Sequence, residues 1–464
     1  MRFVCLATCL GLLLCLGCKT QTSNQQMEPS KAFSLEELQR RTFNWFWDIA
    51  DSSNFQILDR YPTRTFSSIA ATGFGLTSYL VGVERKYISR EAAADRVLKT
   101  LRVLADLPQG PDSVGVSGYK GFFYHFLTLD KAHRYKRVEL STIDTGLLMA
   151  GVLSTMSYFD RDNVEEKEIR QLADALYRRV EWDWAINDAE RLSMGWRPER
   201  GYIPADWRGY NEAMVLLIMA MGSPTHPIAP NSWEKWCDTY EWMTYKGQEH
   251  VNFSPLFGHQ YSHMYIDFRG IQDPYMKEKG IDYFENSRRA TYANRQYCID
   301  NPRGFKGYGP KQWGLTASDG PRGEPRKAMV GNQEVQFRTY WARGASGRHI
   351  NDDGTIAPTA AGGAVPFAPE ICIPTLEYMW NQHYDQLVGD YGFKDAFNLS
   401  YTFSDGNEQG WFDYDYLGID QGPILIQIEN HRTGLIWETM KKNPYILEGL
   451  RKAGFTGGWL TNQK

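Results

Sequence analysis

The segment RVELSTIDTGLLMAG, residues 137–151, sets two carboxylates, Glu139 and Asp144, at the mouth of an apolar helical run. With Ser141 as N-cap, Asp144 falls at the third helical position, where an acid closes a capping box. Capping alone is therefore a sufficient reason for Asp144. Glu139 precedes the cap, ends a long loop and is not needed for it. Both acids lie in the positive field of a helix start, which favours ionised carboxylates and suits a base or a charge stabiliser. The segment WRGYNEAMVLLIMAM, residues 207–221, repeats the arrangement: Asn211 can cap, which makes Glu212 the first helical residue. Asp130 and Asp206 lie on the loops that lead into these two helices.

Two carboxyls facing one cleft are what glycoside hydrolysis requires, one to protonate the leaving oxygen and one to activate water or attack. Trp196, Tyr202, Trp207, Tyr210 and Trp313 supply flat apolar faces that suit sugar rings, although each could equally pack in a core. His259 and His263 in GHQYSHMY have the i,i+4 spacing of a metal pair, but no HExxH pattern accompanies them. Substrate hydrogen bonding is the better reading there, and no metal site is expected. NDDGT, residues 351–355, resembles a fragment of a calcium loop whose other ligands are missing. Asp413, Asp415 and Asp420 offer a more distant second carboxylate, and Glu429 and Arg432 in IENHRTG read as a buried pair on the last inner helix. No GxSxG, P-loop or dinucleotide fingerprint occurs, so no cofactor is expected.

These residues need a scaffold, and the scaffold reads as helical. Apolar periodicity marks helices near 34–50, 67–85, 89–107, 140–157, 164–180, 209–221, 230–247, 259–267, 275–300, 366–382, 421–440 and 443–453, while convincing alternating strands are scarce. Short and long connections alternate. Helices that follow the long connections are apolar all round, as in SIAATGFGLTSYLVGV, and so are buried; those that follow the short ones are charged, as in EEKEIRQLADALYRR, and so form an outer layer. An inner ring, an outer ring and long loops on one face describe an all-α (α/α)6 toroid, a single domain with its site on the loop face. The alternation slips after residue 382, and a short helix near 393–397 restores it.

A net charge of -4 with no basic block excludes an electrostatic footprint for nucleic acid. The leader MRFVCLATCLGLLLCLGC reads as a signal peptide over residues 1–18, ending in a lipobox-like site at Cys18, with Cys15 where leucine is usual. Residues 19–32 then form a polar tether and residues 33–464 the soluble domain. The expectation is an exported, periplasmic or membrane-anchored lipoprotein that touches the membrane only through its lipid. Four of the seven cysteines fall in the leader, which leaves Cys237, Cys298 and Cys372, too few for a disulfide framework and without zinc spacing.

Six motifs in order, GFFYHFL, ELSTIDT, WGLTASDGP, PTAAGGAVPFAPE, GIDQGP and IENHRTG, together resemble the bacterial glucoamylase-like family that overlaps glycoside hydrolase family 144. The similarity runs from about residue 33 to 454. It implies an (α/α)6 barrel and inverting hydrolysis of β-1,2-glucan, as an endo-enzyme or as an exo-enzyme releasing sophorose. The family's essential acids lie in the segments matching ELSTID and GYNEA, so the resemblance carries Glu139, Asp144 and Glu212, with Glu212 favoured as general acid. Expected substrate contacts are Tyr124, His125, Asp130, Trp196, Tyr210, His259, Trp313, Glu429 and Arg432. Inversion would separate the working carboxyls by roughly 6.5–9.5 Å. The alternatives are hydrolysis of another, α-linked glucan, a non-catalytic glycan-binding lipoprotein, and a structural toroid; the last needs an exposed apolar patch and no deep cleft.

Overall fold

The computed structural model describes residues 31–322, 326–403 and 408–462. The compact unit runs from Phe33 onward. The expected signal peptide and nearly all of the expected tether lie outside the described residues. The helices are α1 (Leu35–Asp48), α2 (Ile69–Glu84), α3 (Arg90–Asp106), α4 (Thr142–Tyr158), α5 (Val164–Arg178), α6 (Met214–Gly222), α7 (Asn231–Cys237), α8 (Tyr261–Tyr265), α9 (Pro274–Lys279), α10 (Tyr283–Asp300), α11 (Pro358–Gly362), α12 (Pro369–Gln382), α13 (Tyr384–Leu387), α14 (Gly418–Arg432), α15 (Leu435–Met440) and α16 (Pro444–Lys452).

Burial separates them into two layers. Every residue of α6 is buried, and α2, α4 and α14 are buried on nearly all sides. α1, α3, α5 and α16 bury one face and keep a charged one. The buried helices form a closed circuit: α14 packs on α2, α2 on α4, α4 on α6, α6 on α8, and α8 back on α14. α11 joins this layer beside α14. Helix starts are fixed by side-chain caps. Ser34, Ser68, Ser89 and Ser141 each accept from the backbone N–H three residues on.

Glycines let backbones touch inside the circuit. A Cβ on Gly151 of α4 would sit 2.1 Å from the carbonyl oxygen of Gly73 in α2, and one on Gly449 of α16 would sit 1.9 Å from that of Ile218 in α6. The obstructing atoms are backbone, which cannot rotate away. Gly151→Ala is therefore expected to destabilise, because an overpacking cost of about 1–3 kcal/mol exceeds the roughly 1 kcal/mol alanine gains in helix propensity. Urea denaturation reads this directly, and a midpoint at or above wild type would refute the contact.

Four expected elements differ. The helix expected over 230–247 ends at Cys237, and Trp242–Tyr245 instead pairs antiparallel with Gln248–Val251. Lys246 and Gly247, at φ 50 and 77, make the two-residue hairpin turn. The helix expected over 275–300 is two helices, broken at left-handed Gly280, and that over 421–440 ends at Arg432, with left-handed Gly434 before α15. No helix restores the alternation at 393–397; Gly392–Phe393 and Phe397–Asn398 are short strands. The helix that does form is α11, in the stretch read as a long loop. No described helix is long and apolar enough to cross a membrane. Cys237, Cys298 and Cys372 are buried free thiols.

Candidate active site

At the mouth of α4, Ser141 does two jobs. Its Oγ accepts from the Asp144 backbone N–H at 3.2 Å and donates to Asp144 Oδ2. Asp144 is thus tied to its cap, as the spacing predicts. Glu139 takes no part in capping. Its Oε1 lies 2.9 Å from His125 Nδ1 and its Oε2 3.4 Å from an Arg197 guanidinium nitrogen. His125 Nε2 is 3.6 Å from Asp144 Oδ1, so one imidazole bridges both acids. Its ring stacks on Phe126 at 3.9 Å, and Phe126 is held by strand pairing to Ser68 at the start of α2. The hydrogen bond from His125 holds the Glu139 carboxyl near 2, below the usual range, against the pull of burial. In turn, burial pulls the imidazole down, but the charges of Asp144 and Glu139 outweigh it and raise His125 to about 9.

Glu212 has the opposite environment. It is not the first helical residue, because α6 begins at Met214 and Glu212 sits in the preceding turn. Asn211 Oδ1 accepts from Ala213 N–H at 3.0 Å, and the Glu212 carbonyl accepts from Ser262 Oγ at 3.0 Å. Those bonds hold the main chain; the carboxyl accepts from its own backbone N–H, and its Oε2 is buried with no hydrogen-bond partner among the described residues. Glu212 is half-buried, yet protein surrounds its carboxyl. That burial, with the nearby charge of Asp144, lifts its carboxyl to about 7. Asp144 is thus linked through His125 to an ionised carboxylate, and its charge reaches a carboxyl that keeps its proton near neutrality.

The facing wall comes from loops far apart in sequence. Arg60 binds Asp59 at 2.9 Å and Asp319 at 2.6 Å. Asp395 and Asp420 are buried and close enough to share a proton; burial raises Asp395 well above, and Asp420 to about 7 from, the usual carboxylate range. Asp319, Asp413 and Asp415 bring carboxylate oxygens within 4.8 Å of one another, with the Arg322 guanidinium contacting Asp319 and Asp415. A hollow of about 300 Å³ joins the walls, lined by Asp59, Arg60, Phe66, His125, Asp144 and Tyr340 among others. Asp59, Arg60, Phe66, Asp319, Tyr340 and Asp395 went unread in the sequence. Their signal was weak: single residues in DRYP, TFSS, RTYW and FKDAF with no shared spacing, and Asp319 within the motif WGLTASDGP without a role of its own.

Other expected contacts fall elsewhere. Asp130 is exposed on a surface turn, in a separate hollow with Lys131 and Lys136. Tyr124 and Trp313 are fully buried, Tyr124 beneath the Arg134 guanidinium, so neither presents a face to the cleft. Glu429 does not pair with Arg432: Arg85 grips it through two bonds of 2.7 and 3.0 Å, and Arg432 pairs with Glu36. Both lie at the last turn of α14, nine and twelve residues, or roughly 14 and 18 Å, along the helix from Asp420. They tie the far end of the scaffold. His259 and His263 bond separately, to the Phe253 carbonyl and to Ser287, so the i,i+4 pair does not converge. Asp353 of NDDGT is taken by Arg343, and Asp352 by Tyr297 and Tyr308. Asp206 pairs with Arg208. Tyr210 is buried against His259 and Tyr283 but lines a second hollow. Trp196 is half-buried, packed on Tyr119 and Trp184, with its strand paired to Leu140 beside Glu139.

The chain is similar to several known proteins. Residues 204–444 match the Glycoamylase family model, described as "Putative glucoamylase". An exo β-1,2-glucooligosaccharide sophorohydrolase (non-reducing end) of Parabacteroides distasonis is 29% identical over 449 residues, or 90% of this chain. The chain spans 57% of the length of that relative. A glucoamylase-type structure from Bacteroides uniformis is 34% identical, covers 93% of this chain and 100% of its own, and superposes with a TM-score of 0.79. An endo-β-1,2-glucanase from Chitinophaga pinensis, in complex with sophorotriose and glucose, is 29% identical with a TM-score of 0.77, covering 92% of this chain and 99% of its own. The chain belongs to the glucoamylase-like family.

Proposed function

We propose that this protein is an inverting glycoside hydrolase that cleaves β-1,2-glucan on an (α/α)6 toroid. The observation that carries the reading is the opposed protonation of two carboxyls linked to Asp144, one through His125 and one through the charge of Asp144 itself. Glu212, lifted to about 7, holds the proton that a departing glycosidic oxygen needs. Glu139, held near 2 by His125, is ionised and able to draw a proton from water, with Asp144 beside it. Attack by water on the face opposite the leaving oxygen inverts the anomeric centre. The linkage follows from the relatives: the P. distasonis and C. pinensis proteins are both named for β-1,2-linked glucans. The closed circuit of buried helices within amphipathic ones supports the toroid. We read residues 1–18 as an export leader and Cys18 as the lipid site, which places the domain on a membrane surface facing the periplasm or exterior.

Product analysis tests the reaction. The domain is incubated with linear β-1,2-glucan, starch and β-1,3-glucan, and anomeric signals are followed by proton NMR. Sophorose or short β-1,2-oligomers released first in the α configuration are expected. Glucose from starch alone would overturn the linkage, β-anomeric products would overturn inversion, and no release from any glucan would favour a binding protein.

A further inference from the structure

A further hollow, of about 340 Å³, lies between α7, the start of α9 and the end of α16. Lys452 on its border donates to the Met221 carbonyl at 3.0 Å, which puts the hollow at the C-terminal end of α6. Glu212 precedes the other end of that helix, whose nine residues span roughly 13 Å. The hollow shares no lining residue with the one that contains His125 and Asp144.

The groups on its floor are already satisfied. Asp273 Oδ2 accepts from Trp233 Nε1 at 2.8 Å and from the Tyr283 hydroxyl at 2.9 Å, and Asp273 Oδ1 caps α9 through the Met276 N–H at 2.8 Å. Two rim charges are balanced as well: Lys452 is 3.6 Å from Glu448, and Glu278 is 3.0 Å from Lys279. Glu234 and Asp238 are not. Both are exposed, and among the described residues their carboxylates make no ion pair and no hydrogen bond. They stand i,i+4 at the end of α7, where like charges repel, and a cation beside them relieves that repulsion. Ala453 and Gly454, at the end of α16, also border the hollow, and a helix end carries partial negative charge. The rest of the rim is apolar, with Pro230 and Pro274 exposed and Tyr275 half-buried. Unbalanced negative charge repels phosphates and carboxylates and attracts a cation, while the apolar wall favours an organic body over a bare metal ion. We infer that this hollow is a second binding site, which takes an ammonium or guanidinium group on an apolar body, the charge held by Glu234 and Asp238 and the body by Pro230, Pro274 and Tyr275. The inference stands apart from the hydrolysis proposed above.

Ligand-observed proton NMR titrations of the whole protein test it, with benzylammonium as probe and benzyl alcohol as its uncharged counterpart. Nα-Acetyl-lysine amide presents the charge as a peptide side chain would, so the tighter of the two cations separates a free amine from a basic segment. Benzylammonium should bind about fivefold tighter than benzyl alcohol, lose that advantage as sodium chloride is raised, and bind Glu212→Gln as it binds wild type. Glu234→Gln combined with Asp238→Asn should remove the preference for the cation. Asn231→Trp, which sets a ring at the mouth of the hollow, should abolish binding of both probes. All three positions are exposed, and thermal unfolding confirms that each variant is folded. Equal binding of benzylammonium and benzyl alcohol to wild type, or a preference unchanged in the double variant, would overturn the inference. So would binding of sophorose that Asn231→Trp removes, because the hollow would then be a sugar site.

Discussion

Glu212→Gln is expected to lower kcat on β-1,2-glucan by about 10²–10⁴-fold, the usual span for loss of a general acid. The pH profile is the more discriminating result. Activity of the wild type should fall as pH rises through about 7, because the proton Glu212 must deliver leaves it there. Glu139, ionised above about 2, adds no limb in the working range. The residual activity of the variant should lack the alkaline limb. Stability should move the other way. A carboxyl whose folded pKa is raised contributes stability at low pH and loses it as pH rises through the folded value. Above pH 7 the wild type must bury a charge beside Asp144, and glutamine need not, so the variant should melt higher than wild type at pH 8. A dead enzyme that also melts lower would signal misfolding rather than lost chemistry. An unaltered alkaline limb would remove Glu212 from the acid's role.

Arg343→Met is expected to cost about 3–5 kcal/mol, because it strands a buried carboxylate. Arg343 and Asp353 are both fully buried, joined by two bonds of 2.7 and 2.8 Å. The same guanidinium donates to the carbonyls of Ser318 and Arg338, at 2.9 and 2.8 Å. These bonds anchor the loop that carries Tyr340 to the hollow beside His125. The variant should therefore raise KM more than it lowers kcat, in addition to shifting the urea midpoint. A midpoint and a KM both unchanged would show that the pair holds nothing in place.

The parts of this molecule that could be read from sequence are the parts encoded locally. α1, α2, α4 and α5 begin where their Ser or Asn caps stand, and the apolar or amphipathic run after each cap gave its layer. Glu139 and Asp144 were legible for a related reason, since both lie at one helix mouth, whereas His125, fourteen residues before Glu139, was expected only with the family resemblance, in its motif GFFYHFL. Errors arose where two signals competed. Trp242 to Tyr245 extends the apolar spacing of the preceding helix, and only Lys246-Gly247 betrays the hairpin. Gly280 and Gly434 ended helices that apolar spacing alone carried through. Trp313 shows the limit for aromatics, since composition cannot distinguish a ring facing sugar from one facing the core. Most of the opposite wall was out of reach. Asp420 was read as a distant second carboxylate and Asp319 stands in the motif WGLTASDGP, but Asp59, Tyr340 and Asp395 come from separate stretches, and only the fold brings them together.

The glycine contacts bear on how a polymer could enter. Where α2 meets α4, and α6 meets α16, main chain rests on main chain, with no side chains between to rearrange. Sliding or rocking between packed helices depends on interdigitated side chains exchanging one set of grooves for another. At these two crossings that freedom is missing. The helical frame therefore behaves as a rigid mould of fixed bore, and any widening that admits a glucan chain has to occur in the loops above it.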